Sequence, residues 1–147
     1  MPARTPSQTV GPFFAFGLCD RPANALGAGG TRLAGRVFDG AGEPVDDALV
    51  ELWHPDVGFG RCGTDVEGWF EFIVAQPADR YYELMVFARG LIKQVVTRVY
   101  FPAAEDAFLA SLDERDRSTL VAGPDDEGGL RFDVHLQGER ETVFFAV

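Results

Sequence analysis

Residues 81–101 read YYELMVFARGLIKQVVTRVYF, and the order of residue types within them decides the fold. Tyr82–Ala88 and Gln94–Phe101 are dense in aromatic and β-branched side chains, the types that fit a pleated, half-buried surface, and Gly90 stands between them as a breaker. Two core strands are expected there. Toward the N-terminus, Trp69–Val74 follows the turn sequence DVEG and reads as another strand. Val50 and Leu52 alternate with Glu51 and Trp53, and Leu33, Gly35 and Val37 alternate from Thr31 onward. The intervening GAGEPVDD is rich in turn residues, so these last two segments are expected to pair antiparallel across it.

Toward the C-terminus the period changes. Ala104, Phe108, Leu109 and Leu112 recur at helical spacing, and Asp113 is placed to cap a second short helix ending before Gly123. Residues 103–122 are therefore expected as a short helical insertion. After GPDDEGG, the residues Leu130, Phe132, Val134 and Leu136 alternate strictly, and beyond the turn QGERE a last strand is expected over Thr142–Val147. About seven to nine short strands with one helical insertion predict an all-β antiparallel sandwich. The domain is expected over residues 31–147, preceded by an arm over residues 1–30 rich in Pro, Gly and Ala.

Composition bounds the function. With 147 residues, 46% of them hydrophobic, the chain can fill one core. A net charge of −10 repels phosphate backbones and anionic lipid headgroups, so neither nucleic acid nor membrane is an expected partner. The start MPARTPSQTVGPFF has no apolar signal-peptide core, and the expected location is the cytoplasm. Cys19 and Cys62 belong to no CxxC or Cys/His pattern and read as ordinary thiols. No glycine-rich phosphate loop and no internal repeat is found.

Candidate chemistry is sparse, because the chain has only two histidines. His54 ends a strand in ELWHPD, held extended by Pro55, and reads as a strand-end residue facing solvent. His135 alternates with Val134 and Leu136 and reads as a residue of the polar face. Ser7 and Ser118 lie in no nucleophile elbow, and Asp125, Asp126 and Glu127 read as a solvated loop. Phe13, Phe14 and Phe16 in the arm would be costly to leave in water and are expected to form an interface.

Three blocks carry a further reading: TPSQTVGPFFAFGL at residues 5–18, FARGLIKQVVTRVYFP at 87–102 and RFDVHLQGERETVFFAV at 131–147. With VELWHPD at 50–56 and GFGRCGTDVEGWFEF at 58–72, they resemble the intradiol aromatic-ring dioxygenases across nearly the whole chain. Within that family they resemble the non-iron-binding α subunit of the heteromeric members that cleave protocatechuate. The resemblance implies intradiol cleavage of protocatechuate by O2 to 3-carboxy-cis,cis-muconate, at an Fe(III) site that a β subunit holds with two tyrosines and two histidines. This chain is implied to bind no metal and to be inactive in isolation. Aligned on FARG, Tyr81 and Glu83 take the places of the family's His-x-His pair, as vestigial ligand positions. The loop carrying the first tyrosine ligand is missing, and segments near Val57 and between Gln76 and Tyr81 are absent. Thr9, Gly11 and Pro12 match a T-x-G-P turn of the arm that helps wall the partner's pocket. Arg89 matches an arginine near the substrate, where a guanidinium suits an aromatic carboxylate. The alternative is a non-catalytic, transthyretin-like binding or scaffold module. An autonomous enzyme would have to draw its ligands from Tyr81, Tyr82, Tyr100, His54 and His135.

Overall fold

Alternating side chains at a period of two produce sheets with one apolar face each, and two such faces close on one another here. The structure is a computed structural model and describes residues 4–6, 8, 9, 11, 15, 17–19, 23–28 and 30–146. The strands are β1 (Ala25–Leu26), β2 (Thr31–Phe38), β3 (Leu49–His54), β4 (Gly58–Gly63), β5 (Trp69–Val74), β6 (Tyr81–Phe87) and β7 (Val95–Tyr100). Helices α1 (Ala107–Ser111) and α2 (Glu114–Ser118) follow, then β8 (Gly123–Pro124), β9 (Leu130–Arg131) and β10 (Val134–His135). One sheet has the order β1-β5-β2-β9-β8 with β10 also on β2, and the other β4-β3-β6-β7. The first contributes Leu33, Val37, Phe70, Phe72 and Val74 to the core, and the second Val50, Leu52, Tyr82, Leu84, Val86 and Val99. This is the all-β sandwich that the alternation predicts.

Three sequence expectations are corrected. The segments taken as a hairpin, β2 and β3, lie in different sheets: β3 pairs with β4 and β6, and β2 with β5. The connection between them folds on itself, with Asp39 Oδ1 accepting from the Ala41 and Glu43 amides and the Val45 amide returning to the Val37 carbonyl at 2.9 Å. It thereby carries the chain from one sheet to the other. The alternation over 130–136 breaks into β9 and β10, because Asp133 Oδ1 takes the Arg36 amide at 2.9 Å where a ladder carbonyl would stand. A Cβ on Gly35 would lie 1.7 Å from the Phe132 carbonyl oxygen, so only glycine lets the chain cross β2 at that point. The last expected strand, Thr142–Val147, is irregular among the described residues. Side chains capture its backbone: Thr97 Oγ1 donates to the Val143 carbonyl at 2.7 Å, and Thr119 Oγ1 accepts from the Val143 amide at 3.2 Å.

The helical insertion forms as expected. Asp106 caps α1 by accepting from the Leu109 amide at 2.7 Å, and Asp113 caps α2 by accepting from the Asp116 amide at 2.8 Å. Leu109 and Leu120 pack with Tyr100 and Ala104 into a second, smaller cluster that Tyr81 and Phe108 border. The end of the 1–30 segment is built into the sandwich edge: Ala23 bridges Arg61, and Ala25–Leu26 run parallel to Ile73–Val74 with Leu26 buried. Among the described residues, no helix is long and apolar enough to cross a membrane.

Candidate functional site

Tyr81 and Glu83, the positions expected to be vestigial ligand sites, lie on the face of β6 opposite to Tyr82, Leu84 and Val86. Across the strand pairs, Tyr81 stands against Tyr100, and Glu83 against Arg98 on one side and Trp53 on the other. Arg98 dominates this patch. Its guanidinium carbon is 4.3 Å from the Tyr81 ring centroid and 5.4 Å from that of Phe145. Its Nη1 donates to the Tyr100 hydroxyl at 3.2 Å, and that hydroxyl donates to the Asp106 carboxylate at 2.8 Å.

The electrostatics follow from this packing. Burial pushes the Tyr100 phenol up to about 12, so it stays protonated. Burial also opposes ionisation of Asp106, but the Leu109 amide and the Tyr100 hydroxyl outweigh it and hold the carboxyl below its ordinary range. For Arg98, burial works against the charge, and the Tyr100 hydroxyl and its neighbours more than restore it. Both positions that resemble ligand sites therefore abut one permanent cation.

Ferric iron is a hard cation served by phenolate and imidazole. The second buried phenol, Tyr82, donates to the Ala75 carbonyl at 2.6 Å and is likewise pushed by burial to about 12. His54 is only 2% exposed, which corrects its expected solvent-facing role. It is in phase with Val50 and Leu52, so its ring shares their inward face. Its Nε2 lies 2.9 Å from Asp79 Oδ1, and its Nδ1 accepts from the Asp56 amide at 3.2 Å. The Nε2 proton is thereby committed to Asp79. His135 belongs to the other sheet, stacked on Phe38 at 4.9 Å, with burial and then Arg140 lowering its pKa. Among the described residues, no group of three or more His, Cys, Asp or Glu side chains is arranged to hold a metal ion. Tyr100 held protonated beside a guanidinium, Tyr82 held protonated on the opposite face of β6, and two imidazoles on different sheets do not fit a ferric ion.

The residues expected near substrate lie elsewhere. In the arm, Gly11 has φ of 76° and its amide reaches Thr9 Oγ1 at 3.4 Å, which defines a turn. Pro12, Phe13, Phe14 and Phe16 lie outside the described residues. Arg89 follows β6 at the end opposite Tyr81, eight residues along a near-extended chain, or roughly 25 Å away. Its side chain is 59% exposed, with Nη2 at 3.1 Å from Asp46 and Nε at 3.4 Å from Asp47. Sequence reasoning missed both aspartates, taking them only as turn residues in GAGEPVDD.

No family model matches the sequence. The protocatechuate 3,4-dioxygenase alpha chain of Burkholderia cepacia is 34% identical to it over 192 residues, covering 98% of each chain. This chain belongs to the protocatechuate 3,4-dioxygenase alpha-chain family. The alignment is 192 positions long and this chain has 147 residues, so the alpha-chain relative carries segments without a counterpart here. The protocatechuate 3,4-dioxygenase beta chain of the same organism is 26% identical over 153 residues, covering 75% of this chain and 65% of that one. The fold matches the dioxygenase domain of a dioxygenase carbohydrate-binding protein fusion from Streptomyces sp. SirexAA-E. The TM-score is 0.60 at 22% identity, over 92% of this chain and 99% of that domain.

Proposed function

We propose that this chain is the α subunit of a protocatechuate 3,4-dioxygenase, assembling with a β chain that holds Fe(III). In that complex O2 is inserted into protocatechuate to give 3-carboxy-cis,cis-muconate. The observation that carries this reading is the likeness to an alpha chain along 98% of both sequences. The chain's own phenols and imidazoles are engaged in packing and hydrogen bonds, which supports placing the metal on the partner. This chain supplies walls and contacts. The turn at Thr9, Gly11 and Pro12 borders the partner's pocket, Phe13, Phe14 and Phe16 seal the interface, and the exposed Arg89 guanidinium receives the substrate carboxylate. The arm is residues 1–30, with Ala23–Leu26 at its end joined to the edge of the sandwich of residues 31–147.

The test is iron content and ring-cleavage activity of the chain purified alone and co-expressed with its β chain. The isolated chain is expected to hold no stoichiometric iron and to show no cleavage, and the complex to show both. Stoichiometric iron with activity in the isolated chain overturns the proposal.

A further inference from the structure

The pairing of Phe87 with Leu49 brings the residues after β6 beside those that precede β3, and so sets Arg89 against Asp46 and Asp47. The two aspartates differ in environment. The Asp46 side chain is 49% exposed and that of Asp47 only 14%. Both carboxylate oxygens of Asp47 are sealed from solvent without a hydrogen-bond partner. Burial drives its acid upward, and Arg89 is the main group opposing that shift. A carboxylate desolvated without hydrogen bonds destabilises a fold, so its presence needs a reason other than stability.

We propose that Asp47 is the positioning residue for Arg89, fixing its guanidinium so that a carboxylate-bearing aromatic ring meets a preset donor pair. This rests on the reading of Arg89 given above. A long, exposed arginine samples many rotamers, and holding one of them lowers the entropy lost on binding. Asp47 takes the Nε position and Asp46 the Nη2 position, so one edge of the guanidinium is clamped and the Nη1 hydrogens lie outside the clamp. Asp47 is the stronger anchor because its charge acts through a less polar medium, whereas water competes at Asp46. The substrate carboxylate then pairs with a donor edge that is already oriented.

The test uses the αβ complex carrying Asp47→Asn, Arg89→Ala or both. KM is measured for protocatechuate and for catechol, which lacks the carboxylate, together with the thermal midpoint. Arg89→Ala is expected to raise KM for protocatechuate about tenfold, the scale of one lost charge-assisted contact. Asp47→Asn is expected to raise it about threefold, with a much smaller effect on catechol, no loss of thermal midpoint, and no additional effect in the double variant. If Arg89→Ala leaves KM for protocatechuate unchanged, the reading of Arg89 falls and this inference with it. If Arg89→Ala acts but Asp47→Asn does not, or if the two effects add, Arg89 keeps its role and Asp47 loses its own. A lowered midpoint with KM raised equally for both substrates makes Asp47 merely structural and overturns the inference.

Discussion

The guanidinium carbon of Arg98 lies 4.3 Å from the centroid of the Tyr81 ring, and Arg98 is also the direct cross-strand neighbour of Glu83. A single fixed cation thus borders both positions that resemble the family's imidazole ligands. Histidines placed at these two positions are therefore not expected to make an iron site, since a trivalent ion and a guanidinium repel strongly at such range in a partly buried setting.

The double substitution Tyr81→His with Glu83→His is expected to leave the isolated chain without stoichiometric iron. Metal content per chain and the absence of a catecholate charge-transfer band check this. A stoichiometric ferric complex with Arg98 still in place would show that the guanidinium does not block the position.

Alkaline titration gives a second test. Tyr82 and Tyr100 carry folded-state pKa values of about 12 against an ordinary 10, in both cases chiefly because burial disfavours the phenolate. The folded state holds these protons more tightly than the unfolded one. The stability they contribute is complete below pH 10 and is lost as pH rises through about 12, at up to about 1.4 kcal/mol per pH unit for each group. Urea midpoints measured across that interval should fall, and tyrosinate absorbance should show late ionisation of Tyr82 and Tyr100. Ionisation of Tyr82 and Tyr100 near pH 10 with the fold intact contradicts the burial argument.

The sandwich was legible because its central strands obey a strict period. In β6 every second residue, Tyr82, Leu84 and Val86, is fully buried, and the sequence shows this directly. The connection over 39–48 was misread because GAGEPVDD has the composition of a tight hairpin turn, whereas its self-contained hydrogen bonds let it cross between sheets. Strand β4 escaped notice because Gly58, Gly60 and Gly63 dilute its β signal, even though it pairs with β3 along its whole length. Of the candidate site, the resemblance named Tyr81, Glu83 and Arg89 as expectations. It had no means to show that Arg98 faces the first two or that Asp47 faces the third, since those contacts join residues 15 and 42 positions apart or more.

His54 supplies a stability test. Its ring is 2% exposed, packed edge-on to Tyr82 at 5.7 Å, and it accepts the Asp56 amide. Replacement by Ala removes packed volume and orphans that amide, for an expected loss of about 2–4 kcal/mol. Asp79→Ala should cost less, about 1 kcal/mol, because the carboxylate is half exposed and water replaces it at the Nε2 proton. Denaturant midpoints of the two variants check the order, and an equal or larger loss for Asp79→Ala contradicts it.

Two deletions in the arm are expected to separate assembly from folding. Residues 1–16 precede the bridge from Ala23 to Arg61 and the pairing of Ala25–Leu26 with β5, so their removal leaves the sandwich edge closed. Removal of residues 1–27 instead strips Leu26 from the core, exposes the edges of β4 and β5, and should lower stability by about 2–4 kcal/mol through the lost burial alone. The shorter deletion is expected to weaken binding to the β chain and ring cleavage while leaving the thermal midpoint of the chain nearly unchanged. Binding by titration calorimetry and melting by circular dichroism distinguish the two outcomes. Undiminished assembly after deletion of 1–16 removes the interface role from Phe13, Phe14 and Phe16, whatever happens to the longer deletion.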